Sequence, residues 1–297
     1  MHSMMRSICC IVVFICCFQL SALAGNGKPA HRIFIDTDGA LDDFRAINML
    51  LAGKDFIVSG ITCSQGTLPA GGSFQKVSSL LSFYRQEGIP VGRGKSIAAK
   101  LPAWSSFAQN IAWADAAGTL MMKDALQILE EGVGRSKEPV TLLALGSLNT
   151  YSQWLKNTKH DHGKIAQIVW YNEPDLHTQF NYLLDTTAYN EIRNMKIPLV
   201  IVSKGPGQLT AGATYVARLK QLNNVYAKRI TDVLENPAVK EKIQEGHSQL
   251  WDDLVPLYLA HPGLFHVFNR NGITHAVLRQ DVAAGIIYDC IARILGG

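Results

Sequence analysis

Four aspartates fall within eight residues directly behind an apolar run: Arg32-Ile33-Phe34-Ile35, then Asp36-Thr37-Asp38-Gly39-Ala40-Leu41-Asp42-Asp43. Carboxylates packed this tightly repel one another, so the cluster costs stability unless protons or a cation neutralise it. A hard divalent metal held by oxygen ligands is a natural neutraliser. The strand-then-loop setting narrows the fold as well. In open α/β sheets, ligand sites lie beyond the carboxyl ends of the strands. Asp42 and Asp43 also suit the N-terminus of a helix over Phe44–Leu51, where negative charge is favoured by about 0.3–1 kcal/mol each. That accounts for one or two of the acids, not four.

The remainder of the chain supplies the other parts of such a sheet. Short apolar runs at Arg32–Asp36, Phe56–Cys63, Val140–Leu145, Ile165–Trp170 and Pro198–Val202 alternate with amphipathic segments. That alternation predicts a doubly wound, mostly parallel sheet with flanking helices. Phe74, Val77, Leu80, Leu81 and Tyr84 recur at helical spacing, as do Leu120, Ala125, Ile128 and Leu129. Gly88-Ile89-Pro90-Val91 reads as a helix stop running into a short strand. Gln208 to Gln249 is largely helical, with breaks near Asn223-Asn224 and Asn236-Pro237, and predicts a C-terminal helical cap on the same domain.

The first residues read differently. Arg6 precedes an apolar run, Ile8 to Leu20, and Ala22-Leu23-Ala24 follows with the small residues a signal peptidase requires. A run of about 13 residues is short for a bilayer span. Residues 1–24 are therefore expected to be a signal peptide, with 25–297 one α/β domain, and the protein secreted or periplasmic. A retained N-terminal anchor is the alternative. Arg6 is the only charge in the leader, so 27 basic and 24 acidic residues remain. That near-balance, without any block of like charge, does not mark a nucleic-acid binder. No membrane association is expected after cleavage, and a homo-oligomer is left open. Cys63 and Cys290 remain in the mature chain. They read as two buried thiols without a catalytic role, free to pair in an oxidising compartment.

The Asp36-x-Asp38-Gly39 segment resembles two families. One is the inosine–uridine-preferring nucleoside hydrolases, with a signature similar to Asp-x-Asp-x-Gly-x-Asp-Asp. The other is the haloacid dehalogenase-type phosphohydrolases, in which an apolar run leads into Asp-x-Asp-Gly-Thr-Leu. Gly39 stands one place early for the first, and Ala40 replaces the threonine of the second. Later segments favour the nucleoside hydrolases. Gly60-Ile61-Thr62 with Gly66-Thr67 resembles their second strand and its glycine-asparagine loop, Thr67 standing where asparagine is usual. Leu143 to Thr150 resembles their Gly-Pro-Leu-Thr-Asn turn, and Phe180-Asn181 their Glu-Phe-Asn segment with Gln179 in place of the glutamate. Leu250-Trp251-Asp252-Asp253-Leu254 is similar to the late helix that carries their last metal carboxylate.

Carried over position by position, the resemblance implies a Ca²⁺ site formed by Asp38, Asp43, the carbonyl of Asn149 and Asp252, with Asp36 bracing the loop behind them. It implies Asp38 as general base toward a water that attacks the anomeric carbon. Asp42, Thr67, Asn172, Gln179, Asn181 and Trp251 would contact a small-molecule nucleoside or related riboside. Several positions depart from the family. Gln179 lacks the glutamate's charge, the segment Trp170 to Asp175 is short, and Trp251 replaces a histidine that some members use to protonate the leaving base. His177 and His247 are the remaining acid candidates. Trp104, Phe107, Trp113, Trp170 and Tyr171 are candidates for a base-stacking wall. Three functions are carried forward: a calcium-dependent N-glycoside hydrolase, a magnesium-dependent phosphohydrolase with Asp36 as nucleophile, and a nucleoside- or sugar-binding homologue without turnover.

Overall fold

The structure is a computed structural model that describes residues 30–115, 118–158 and 162–296. The expected leader lies outside the described residues. Among these residues no helix is long and apolar enough to cross a membrane.

Among the described residues nine strands form one sheet: β1 His31–Thr37, β2 Phe56–Cys63, β3 Val91–Arg93, β4 Lys123–Asp124, β5 Val140–Ala144, β6 Ile165–Tyr171, β7 Leu199–Ser203, β8 Phe265–Arg270 and β9 Ile273–Leu278. Their spatial order is β4-β3-β2-β1-β5-β6-β7-β9-β8. All neighbours are parallel except the β8–β9 pair. The five strands expected from the sequence appear within a residue of their expected ends, and the Gly88–Val91 stop leads into β3.

β1 sits at the centre and is covered on both faces, which is why it reads as an unbroken apolar run. Its side chains alternate between two cores. Ile33 and Ile35 join Phe44, Ile47, Leu80 and Leu254 on one side. Phe34 joins Leu129, Tyr151 and Trp170 on the other. The register aligns Asp36 with Thr62 of β2 and with Ala144 of β5. The carboxyl ends of three central strands therefore finish level. The strand order reverses between β1 and β5, and a crevice opens at such a reversal.

The helices follow their caps. The helix Ala125–Arg135 starts where Asp124 accepts from the backbone N–H groups of Leu126 and Gln127. Leu120 therefore lies ahead of the helix whose spacing it shares. The expected breaks in the helical region are caps as well: Asn224 accepts from Ala227 N–H and Asn236 from Ala238 N–H. The hairpin β8–β9 turns at Asn271-Gly272, both with positive φ, the conformation an Asn-Gly hairpin turn favours. Cys63 at the end of β2 and Cys290 in the last helix are free thiols, both buried.

Candidate active site

The loop leaving β1 is held from several sides. Gly39 has φ +89°, and a Cβ there would meet Ser73 Oγ at 2.6 Å. Only glycine fits both conditions. Thr37 Oγ1 donates to Asp43 Oδ1 at 2.5 Å, and Asp38 N–H donates to the same oxygen at 3.0 Å. The Asp38 carbonyl accepts from Leu68 N–H at 2.9 Å and from Ser73 Oγ at 3.0 Å. The Asp38 side chain itself lies in a glycine cradle. A Cβ on Gly66 would fall 2.1 Å from Asp38 Oδ2, and one on Gly146 would fall 2.9 Å from Asp38 Cβ.

Asp42, Asp43 and Asp252 place carboxylate oxygens within 4.8 Å of one another. Asp38 is close enough that the charges of Asp43 and Asp42 act on it. Burial drives the electrostatics. It holds Asp38 and Asp252 well above the usual carboxylate range, with neighbouring aspartates adding to the rise. Asp43 is raised by the same burial, opposed by the Thr37 hydroxyl. Asp42 is enclosed by protein yet opens onto the cleft. Burial pushes it to about 7, opposed chiefly by the Arg45 guanidinium. Asp36, fully buried behind the loop, is also pushed to about 7 by burial despite a 2.6 Å hydrogen bond from Thr62 Oγ1.

Asp252 lies in the turn that leads into the helix Leu254–Ala260, not within that helix. Arg45 fixes the turn. Its Nε donates to Asp253 Oδ1 at 2.9 Å, and its Nη2 donates to Asp253 Oδ2 at 2.8 Å and to the Gln249 carbonyl at 2.7 Å. Both partners are buried. Arg45 was not singled out by the sequence, and Asp253 entered only through the Leu250–Leu254 segment, because nothing local links position 45 to position 253.

Above the acids opens a cleft of about 1310 Å³. Asp38, Asp42, Asp43, Thr67, Asn172, Gln179, Asn181, Trp251 and Asp252 all line it. Three buried polar atoms there have no hydrogen-bond partner among the described residues: Asp38 Oδ1, Asn172 Nδ2 and Asn181 Oδ1. A buried polar atom left unpaired costs about 1–3 kcal/mol, so such atoms point to a ligand. Gln179 keeps its place on the cleft wall with its amide donating to Thr178 Oγ1 at 3.0 Å.

Asn149 lies outside the cleft. Its amide donates to Asp185 Oδ2 at 2.5 Å and its oxygen accepts from Gln153. From that turn it is Leu145 that lines the cleft, with its N–H bonded to the Asp36 carbonyl and its own carbonyl accepting from Asn181 Nδ2 at 2.8 Å. The aromatic candidates divide. Trp104, Phe107 and Tyr171 line the cleft, Trp104 meeting Phe180 edge-on at 5.1 Å. Trp113 stacks on Phe44 in the core, and Trp170 is buried with its indole N–H on the Gly146 carbonyl. His247 lines the cleft, whereas His177 packs against Tyr182.

Known proteins share this fold. A profile of the family described as inosine-uridine preferring nucleoside hydrolase matches residues 33–287. The pyrimidine-specific ribonucleoside hydrolase RihA of Klebsiella pneumoniae is 24% identical over 273 residues, covering 81% of this chain and 83% of the relative. A purine-preferring ribonucleoside hydrolase from Gardnerella vaginalis superimposes with TM-score 0.72 at 16% identity, covering 89% of this chain and 98% of its own. The inosine-uridine preferring nucleoside hydrolase of Bacillus anthracis gives TM-score 0.72 at 16% identity, covering 89% and 99%. At these identities the structural likeness speaks for the fold, and the profile, spanning most of the chain, speaks for descent. The chain belongs to the inosine-uridine preferring nucleoside hydrolase family.

Proposed function

We propose that the protein hydrolyses the N-glycosidic bond of a ribonucleoside or related N-riboside, with Ca²⁺ as its cofactor. The observation that carries the reading is the buried, unpartnered Asp38 oxygen among converging carboxylates at the reversal of strand order.

The donor set fits a hard cation. Asp38, Asp43, Asp252 and the Leu145 carbonyl offer only oxygen, the ligand type calcium takes in flexible coordination. In this reading the Leu145 carbonyl replaces the Asn149 carbonyl expected from the sequence, because Leu145 lines the cleft. When bound, such a cation supplies the positive charge that offsets the carboxylates and makes a neighbouring water more acidic.

The chain's own residues do the rest. Asp38 accepts the proton of the attacking water as general base. The glycine cradle fixes its carboxylate, so little reorganisation is needed when that proton moves. Asp42 and Asn181 bind ribose hydroxyls, and Asn172 Nδ2 donates to another sugar oxygen. As the bond to the base breaks, the sugar gains positive charge, which the aspartates stabilise. Trp251 cannot donate a proton to the leaving base and serves as an apolar wall, which leaves His247 as the acid candidate on the cleft.

The test is product analysis. Purified protein with calcium is incubated with inosine, uridine, cytidine and adenosine, and separately with p-nitrophenyl phosphate. Free base and ribose are expected from at least one nucleoside, with no phosphate released. Phosphate release without free base would support the phosphohydrolase instead. The uncharged Gln179 on the cleft wall favours a second reading, a binding homologue without turnover. It would appear as thermal stabilisation by nucleoside without product. A secreted or periplasmic location belongs to the proposal and rests on the leader-like residues 1–24, with nucleoside salvage outside the cytoplasm as the role. A mature N-terminus at Gly25 would support it.

A further inference from the structure

Tyr171 ends β6 on the wall of the cleft, and the reaction described above gives it no task. Its side chain is nearly buried, at 7% exposure. Its hydroxyl lies near enough to Asp42 and Asp252 for both charges to act on it. That hydroxyl donates to Glu173 Oε1 at 2.5 Å. The other oxygen of the same carboxylate accepts from Gly205 N–H at 3.1 Å, which ties the end of β6 to the loop after β7. A phenol has one proton and two lone pairs. With the proton committed to Glu173, the Tyr171 oxygen can only accept from anything else in the cleft. Asn172, the next residue, is 2% exposed on the same wall, with its Nδ2 unpartnered. The wall thus offers a fixed acceptor and an unpaired donor. An acceptor and a donor lining one cleft match the hydroxyls of a sugar, which both give and take hydrogen bonds.

We propose that Tyr171 is a substrate-binding residue that accepts a hydrogen bond from a ribose hydroxyl, and that Glu173 is the positioning residue that points its lone pairs into the cleft. The assignment rests on the N-riboside reading and deepens it.

The experiment uses the full chain with calcium. Tyr171→Phe, Glu173→Ala and Glu173→Gln are compared with wild type on the nucleoside it cleaves best and on its 2′-, 3′- and 5′-deoxy analogues. D-ribose affinity is measured in parallel by calorimetry. Tyr171→Phe is expected to lower kcat/KM on the parent nucleoside about five- to tenfold, the worth of one hydrogen bond. It should cost nothing further on the one analogue that lacks the partner hydroxyl, and it should weaken ribose binding by a similar factor. Glu173→Ala should match it, and Glu173→Gln should lose less, because its amide oxygen still accepts from the phenol. Tyr171→Phe within twofold of wild type on every substrate, or an equal loss on every analogue, would overturn the assignment. If wild type itself neither cleaves a nucleoside nor binds ribose, the functional reading fails and takes this inference with it.

Discussion

Asp38 shows how few atoms hold the proposed chemistry in place. Two glycines leave room for its carboxylate, and a methyl group at Gly66 would overlap its Oδ2. Gly66→Ala is therefore expected to lower kcat about 10²-fold by displacing the carboxylate on the order of 1 Å. Circular dichroism should show an unaltered fold. Asp38→Asn keeps the shape and removes the base, so kcat should fall on the order of 10²–10⁴-fold. A variant with normal turnover would exclude Asp38 as the proton acceptor. At this scale the sequence picked out nine residues that the fold brings to one cleft. It was less informative about the turn after β5, where Asn149 was expected and Leu145 is the residue that lines the cleft. Aromatic identity likewise does not separate Trp104 on the cleft from Trp113 in the core.

Between elements, the decisive contact is the ion pair that joins the helix Leu41–Ala52 to the turn before the helix Leu254–Ala260. Arg45 and Asp253 are buried, and each would be a stranded charge without the other. Asp253→Leu is expected to cost about 3–5 kcal/mol, and removing both charges in Arg45→Leu/Asp253→Leu should recover much of that loss. Thermal melts would read the single variant as a fall on the order of 10 °C. The double variant should melt near wild type. The central strands were legible because a strand buried on both faces is apolar throughout. The β8–β9 hairpin went unassigned because β8 is an edge strand with five of its six residues exposed, so no alternation marks it. Its Asn271-Gly272 turn was the signal available.

Across the whole molecule, the sheet places the acids and the acids set the response to pH. The carboxyl pKa values of Asp36 and Asp42 rise from 3.8 to about 7 on folding. A carboxyl raised this way binds its proton more tightly in the folded state. Its contribution to stability is complete below about pH 4 and is lost as pH climbs toward 7. In chelator, the melting temperature is therefore expected to fall between pH 4 and pH 7.5. Added calcium should flatten that fall, because a cation replaces the protons. A melting temperature indifferent to both chelator and pH would count against a cation among the aspartates. The joining of strand ends around one crevice followed from the alternation of strands and helices. The arrival of Asp252 beside Asp43 did not, and only resemblance to a family suggested it.

Arg45 and Asp253 stand 208 residues apart. A ribosome delivers the guanidinium long before the carboxylate that neutralises it. Until the last fifth of the polypeptide emerges, the helix bearing Arg45 has no low-energy way to seat that charge. Nascent or prematurely terminated chains should therefore hold this region open, and the aspartate ring should close only once translation has passed residue 253.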